Sequence, residues 1–413
     1  MKLFKCAVAG ILAAAMVLTM ASCRKKDEVM ASLGEYKIHA GVYLAIVMQA
    51  KVAAQNKVDE TLQASGAEAA DNIDYTKQKI EDQDYNTWVK NEIKRICAQY
   101  LYVEKQFADE KLSIADKKDQ IDYMSYIDWF GDQNSGQPGR GSLYEKNGIA
   151  QKSQRALIEN TVKMSVMFLS RYGKGGTMAV PEAEVKEAFK ANFLLLNALT
   201  DSTSKPAETE GGTSTPMTDD EKAKVKSQLD GYATRLGKGE AFSKIQEDFQ
   251  EVKEKEAEAN NPSSDTGSSA GSSTAASSLE ASSAAASADA SSGAASSEAP
   301  KAQDPDAILF SGHEKANPSP YYEKFKDLEV GKPTVMELTD DQMYVLALRR
   351  DVLADPYYFD QNYDTVLNIL KEEEFMNFLK TESAKLTVVY NENAITFYNP
   401  KKVKLVEASS AAQ

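Results

Sequence analysis

The sequence predicts an α+β protein, mainly helical, in which both ends of the chain build one helical module and a small α+β domain is inserted between them. Three observations predict it. Apolar residues recur at spacings of three and four through most of residues 40–190 and again from Tyr357 to Lys385, the period of helices with one buried face. Between these stretches the pattern changes to a short apolar run and a pair of alternating segments, the period of strands. A long run of Ser, Ala, Gly and Asp interrupts that middle region. The chain therefore divides into 23–192, 193–352 and 353–406, with 1–22 as a leader, 262–303 as an insert and 407–413 as a tail.

Taken in order, "VMASLGEYKI" (Val29 to Ile38) reads as a hairpin turning at Gly34, and "AGVYLAIVMQAKVAA" opens a helix with His39 near its start. Val89, Ile93, Ile96, Tyr100, Val103 and Phe107 form the stripe of a long helix. Further helices are predicted near Ile114–Asp132 and Gln151–Tyr172, and another begins at Pro181, a residue suited to a first turn, with Val185 and Phe189 inward. "NFLLLNALTD" (Asn192 to Asp201) is bounded by polar sequence and reads as a buried strand; Asp201 to Pro216 reads as an unstructured loop. Thr218 and Glu221 have the spacing of a capping box, ahead of a stripe of Val225, Leu229, Tyr232 and Leu236 that ends at Gly237 or Gly239. A shorter helix carries Phe242, Ile245 and Phe249. The insert lacks the aromatic and branched residues that could offset the entropy of ordering, which predicts disorder. Beyond it come a short helix around Tyr322 and Phe325, then two strands joined through Thr339-Asp340-Asp341. After the helix from Tyr357, alternation in "LTVVYNENAITFY" predicts strands on either side of Asn391-Glu392-Asn393, and a terminal strand able to pair with the N-terminal hairpin.

Composition narrows the function. The net charge is −14, and removing Lys2 and Lys5 with the leader makes it two charges more negative. Such acidity argues against a nucleic-acid partner, because phosphate binding needs clustered Lys and Arg, and it favours basic partners. Past Cys23 only Cys97 remains, inside a helical stripe, so no internal disulfide is expected and Cys97 reads as a small core residue. His39 and His313 are far apart in sequence and give no basis for a histidine metal site or a Ser-His-Asp triad. Walker, GxGxxG and HExxH patterns are absent, and no metal or cofactor is expected. The leader pairs Lys2 and Lys5 with a short apolar run, as secretory signals do. Its end, Met20-Ala21-Ser22-Cys23, resembles the lipobox of bacterial lipoproteins, with Met20 where Leu is commoner. The resemblance implies that Cys23 is lipidated and that the protein is extracytoplasmic, anchored to the bacterial cell membrane by its N-terminal lipid with Arg24, Lys25 and Lys26 at the headgroups. A plain secretory signal or an uncleaved anchor is the alternative.

Four stretches carry a wider resemblance. They are "VMASLGEYKIHAGVY", "VPEAEVKEAFKANF", "GYATRLGKGEAFSKIQEDF" and "FKDLEVGKPTVMELTDDQMYVLAL". In this order they resemble the SurA/PrsA-type extracytoplasmic foldases, which combine a SurA-like helical chaperone module with a parvulin-type (PpiC-type) prolyl isomerase domain. The resemblance implies unfolded or nascent secreted proteins as partners. Its catalytic positions are not kept: Asn197 stands where the first strand normally carries histidine, Tyr344 or Val345 where the last does, and Val252 near the place of an acid or thiol. The family's glycine-rich turn has no counterpart. Tyr322, Phe325 and Met336 remain similar in kind to the residues of an apolar proline pocket, and Phe242 reads as core. Peptide rotation faces a barrier of about 18–20 kcal/mol and needs neither nucleophile nor metal, so loss of the histidines implies a weak or inactive isomerase. The expectation is a holding chaperone with a vestigial isomerase domain, its candidate pocket Asn197, Tyr322, Phe325, Met336 and Tyr344. The alternatives are an active peptidyl-prolyl isomerase and a cell-envelope scaffold or adaptor. A solute-binding lipoprotein fits less well, since no alternating βαβ series is present.

Overall fold

The computed structural model describes residues 27–65, 73–132, 135–205, 214–260, 306–316 and 318–405. The leader, Cys23, the insert 262–303 and the tail 407–413 lie outside them. In chain order the main elements are β1 (Val29–Leu33), β2 (Tyr36–His39), α1 (Ala40–Ala64), α2 (Tyr85–Asp109), α3 (Lys118–Phe130), α4 (Gln151–Tyr172) and α5 (Glu182–Asn192). Next come β3 (Phe193–Ser202), α6 (Asp219–Gly237), α7 (Phe242–Asn260), β4 (Ile308–Ser311), α8 (Tyr322–Phe325), β5 (Pro333–Leu338) and β6 (Met343–Arg350). The chain returns through α9 (Pro356–Ala384), β7 (Val389–Tyr390) and α10 (Glu392–Phe397). The fold is α+β and mainly helical.

Contacts divide the chain into two units. The first runs to Arg171 and takes in Gly175–Thr177 and everything from Glu373; the second is Tyr172–Lys174 and Met178–Glu372. These boundaries differ from those expected at 192 and 353. Val185 and Phe189 of α5 are fully buried, and the Phe189 ring packs on Phe193 at 4.8 Å and on Phe359 at 5.6 Å. Apolar burial therefore assigns α5 and the first part of α9 to the second unit.

In the first unit β1 and β2 form the expected hairpin, with Gly34 at φ +60°, a left-handed turn that suits glycine. His39 stands at the N-cap position of α1 without a side-chain bond to the helix, and its Nδ1 donates to the Asp27 carbonyl at 2.8 Å. The first turns of α1 are buried all round, from Ala40 to Met48, as an apolar helix within a core must be. Helix α2 is capped by Asp84, which accepts from the Thr87 amide at 3.0 Å. It buries Val89, Ile93, Tyr100, Val103 and Phe107 of the predicted stripe, while Ile96 is only half-buried. Cys97 is wholly inside, and burial pushes its thiol up to about 12.

The C-terminal segment closes this core. Strand β7 pairs antiparallel with β1, placing Tyr390 opposite Ala31 and Val389 opposite Ser32, in a sheet of order β7-β1-β2. Beyond it the expected second strand is replaced by α10. The Asn391 side chain accepts from the Ala394 amide at 3.1 Å and donates to the Val29 carbonyl at 3.2 Å. That cap begins a helix, which overrides the alternation in "AITFY". Farther on, Asn147 exchanges hydrogen bonds with Lys404, at 2.9 Å to its carbonyl and 2.8 Å from its amide.

The second unit is an antiparallel sheet of order β4-β3-β6-β5. Odd positions of β3 and even positions of β6 face α6 and α7, where Leu199, Tyr344 and Leu346 pack with Val225, Leu229, Phe242 and Ile245. The opposite parity forms a second layer of Leu194, Leu196, Phe310, Phe325, Val345 and Ala347. The capping box is present: the Thr218 amide donates to Glu221 at 2.9 Å, and Thr218 Oγ1 accepts from the Glu221 amide. Helix α7 is as long as α6 rather than shorter. The stems of the loop read as unstructured pair as a short ribbon, Ser204 with Pro216 and Lys205 with Thr215. Strand β4, which no alternating pattern in the sequence marks, pairs along β3 from Leu196 to Phe193.

Candidate functional site

The five pocket residues expected from sequence do not surround a common space. Strands β3 and β6 are neighbours, as expected, but Asn197 lies opposite Leu348, while Tyr344 lies opposite Asp201. Four residues of strand, about 13 Å at 3.3 Å per residue, separate the two positions. Asn197 is wholly buried, and its Oδ1 accepts from Arg350 at 3.2 Å. Tyr344 packs among the helix-facing residues and donates to Glu337 at 3.1 Å; burial and that carboxylate raise its pKa. Tyr322, Phe325 and Met336 share the opposite layer. Phe325 is wholly buried beside Phe310 and Tyr321. Tyr322 donates to the Ala191 carbonyl at 2.9 Å, and its ring lies so close to Gly312 that an added Cβ would come within 2.3 Å. Val252, at the expected place of an acid or thiol, is half-buried on α7; the next residue, Lys253, pairs with Asp201 at 2.7 Å. Packing has taken up these side chains.

The first unit holds a cavity of about 560 Å³, and sequence reading did not find it. Its walls come from α1, α2 and the C-terminal segment. Tyr85, Val89 and Ile93 follow one another four residues apart along α2, so they form one apolar ridge. Asn86, Lys90 and Lys94 form the neighbouring ridge by the same spacing. Helix α1 contributes Tyr43 and Lys51, seven to eight residues being two turns and therefore one face. Tyr390, Glu392, Ile395 and Lys401 complete the lining from the far end of the chain. The wall is thus assembled from the joining of the two ends.

Electrostatics at this cleft run against the acidity of the whole chain. Lys51, Lys90, Lys94 and Lys401 line it, and Glu392 is the one carboxylate among the lining residues. Lys51 Nζ donates to the Val403 carbonyl, and burial lowers its pKa. The Lys94 ammonium sits 5.4 Å from the Tyr390 ring centroid, a cation–π arrangement, while the Tyr390 hydroxyl donates to the Lys94 carbonyl at 3.2 Å. Burial raises the pKa values of Tyr43, Tyr85 and Tyr390, and the Tyr85 hydroxyl donates to the Lys51 carbonyl at 3.5 Å. Aromatic faces, aliphatic floor, protonated hydroxyls and ammonium groups equip the cleft to bind. Among the described residues no group of three or more His, Cys, Asp or Glu side chains could hold a metal ion, and no helix is long and apolar enough to cross a membrane.

The cleft escaped the sequence because its residues lie some three hundred positions apart, and each alone reads as core or solvated surface. The Lys90–Lys94 spacing beside the apolar ridge is a signal the sequence does carry. No protein-family model matches the chain, and no curated protein is significantly similar to it.

Proposed function

We propose that this protein is a lipid-anchored extracytoplasmic chaperone that holds unfolded secreted polypeptides, and that its inserted sheet domain is at most a weak prolyl isomerase. The observation that carries the reading is the open, tyrosine-lined cleft in the unit built from both chain ends. Its volume falls within the roughly 300–1,000 Å³ typical of ligand sites, room for a few side chains of an extended segment. A second apolar surface adds support: Tyr123, Tyr126 and Phe130 of α3 are more than half exposed, and exposed aromatic clusters commonly mark binding surfaces. The weak-isomerase part rests on the packing of Asn197, Tyr322, Phe325, Met336 and Tyr344. An SurA/PrsA-like organisation, with lipid at Cys23, accounts for the order of parts. The test is whether residues 24–413 suppress aggregation of an unfolded secreted protein; no suppression at several-fold excess would remove the reading. A proline-isomerisation rate in a short peptide well above the uncatalysed one would restore the enzyme alternative.

A further inference from the structure

We propose that the cleft of the first unit selects polypeptide segments in which carboxylates are interspersed with apolar side chains. This rests on the reading of the protein as a polypeptide holder and adds which segments it prefers. Charge complementarity is the first argument. The chain has 62 acidic residues against 48 Lys and Arg, so a lysine has carboxylates to choose from. Half-buried lysines elsewhere take them: Lys163 pairs with Glu104 at 2.6 Å, Lys253 with Asp201 at 2.7 Å and Lys324 with Asp341 at 2.5 Å; what sets the cleft lysines apart is that four of them, one half-buried, face one cavity. None of Lys51, Lys90, Lys94 and Lys401 makes an ion pair among the described residues. Lys90 and Lys94 are also four apart on α2, where like charges weaken a helix. An anion between them relieves that repulsion.

Lys51 sharpens the point. Its ammonium is half-buried and has three donors; the Val403 carbonyl takes one. A carboxylate entering the cleft supplies a charge-assisted acceptor, roughly twice as strong as a neutral one. Beside the lysines, the half-buried Tyr390 and Ile395, above the buried floor of Tyr85, Val89 and Ile93, offer apolar contact to the neighbouring side chain of the same segment.

The occupant is a polypeptide rather than a small amphiphile because of the sheet edge. Tyr390, which lines the cleft, belongs to β7, an outer strand of its sheet with no strand beyond it among the described residues. Such an edge offers unpaired backbone groups to an extended chain.

The experiment uses fluorescence anisotropy with two short labelled peptides, Leu and Phe at the same positions and either Glu or Lys between them. The Glu peptide is expected to bind residues 24–413 at least roughly tenfold tighter. Raising NaCl from about 0.01 M to about 1 M, which shortens the Debye length from about 30 Å to about 3 Å, is expected to erase the preference. The variant Lys51→Gln/Lys90→Gln/Lys94→Gln/Lys401→Gln is expected to lose the preference with its circular dichroism unchanged. Should that variant fail to fold, Lys90→Gln and Lys401→Gln, both at exposed positions, are expected to reduce it one at a time. Equal or tighter binding of the Lys peptide, a preference surviving in the variants, or binding of laurate with neither peptide bound would each overturn the proposal. If aggregation suppression persists under those results, the selectivity alone falls; if suppression is absent from the start, the holding function falls with it.

Discussion

Tyr390 in the first unit stands half-buried at an open cleft floored by the buried Tyr43 and Tyr85, whereas Tyr321 and Tyr344 in the second are buried in two packed layers with Tyr322 half-buried beside them. Both sets keep lysine nearby. In the second unit Lys324 lies over the Tyr321 ring and pairs with Asp341 at 2.5 Å, and Lys222 reaches Glu337, the acceptor of the Tyr344 hydroxyl, at 3.4 Å. In the first unit the cleft lysines have no carboxylate partner among the described residues. Aromatic content is thus alike in the two places. The two places differ in charge: beside the rings of the second unit Lys324 and Lys222 are neutralised by carboxylates, and beside those of the cleft the lysines are not.

The comparison breaks most visibly in the packed layer. Phe325→Ala removes a wholly buried ring from between Phe310 and Tyr321 and is expected to cost about 3–5 kcal/mol. Urea unfolding followed by circular dichroism checks it. A loss of client holding without a loss of stability would mean the ring serves a site after all. Asn391→Ala comes next, because it removes both the cap of α10 and the bond to the Val29 carbonyl. About 1–2 kcal/mol is expected for the cap, read as a lower Tm together with faster hydrogen exchange at Val29–Leu33.

Acid acts on the second unit through its capping box. Lys205, 2.6 Å away, and the hydrogen bonds from Thr218 hold the Glu221 carboxyl down to about 2, from an ordinary 4.5. A depressed acid stabilises the fold above its unfolded pKa, and that contribution fades as pH falls from about 4.5 through about 2. The urea midpoint of Glu221→Gln is therefore expected to match that of the parent protein near pH 2 and to fall below it near pH 6. The smallest change in stability belongs to Lys90→Gln, an exposed substitution expected to shift it by less than about 0.5 kcal/mol while weakening the acidic peptide.

Much of the fold was legible, and the reasons are local. The three- and four-residue spacing from Val89 to Phe107, the Thr218–Glu221 capping box and the turn at Gly34 each depend on neighbours within one helical turn or one hairpin. Two segments depart from their local pattern, one through a stronger local signal and one through pairing with a distant strand. "AITFY" alternates, yet the Asn391 cap makes a helix of its first residues. "ILFS" is four residues long, and pairing with β3 rather than its own pattern makes it a strand. The cleft was illegible for a different reason. Lys51, Lys90 and Lys401 acquire meaning only from carboxylates that are missing around them, and absence of a partner is a tertiary fact.

A photoreactive phenylalanine analogue placed at Asn86, on the cleft wall, or at Met336, in the packed layer of the sheet, compares the two units directly in the presence of an unfolded secreted client. Client adducts are expected from position 86, and none above background from position 336. Adducts from position 336 alone would contradict the proposed holding function of the cleft.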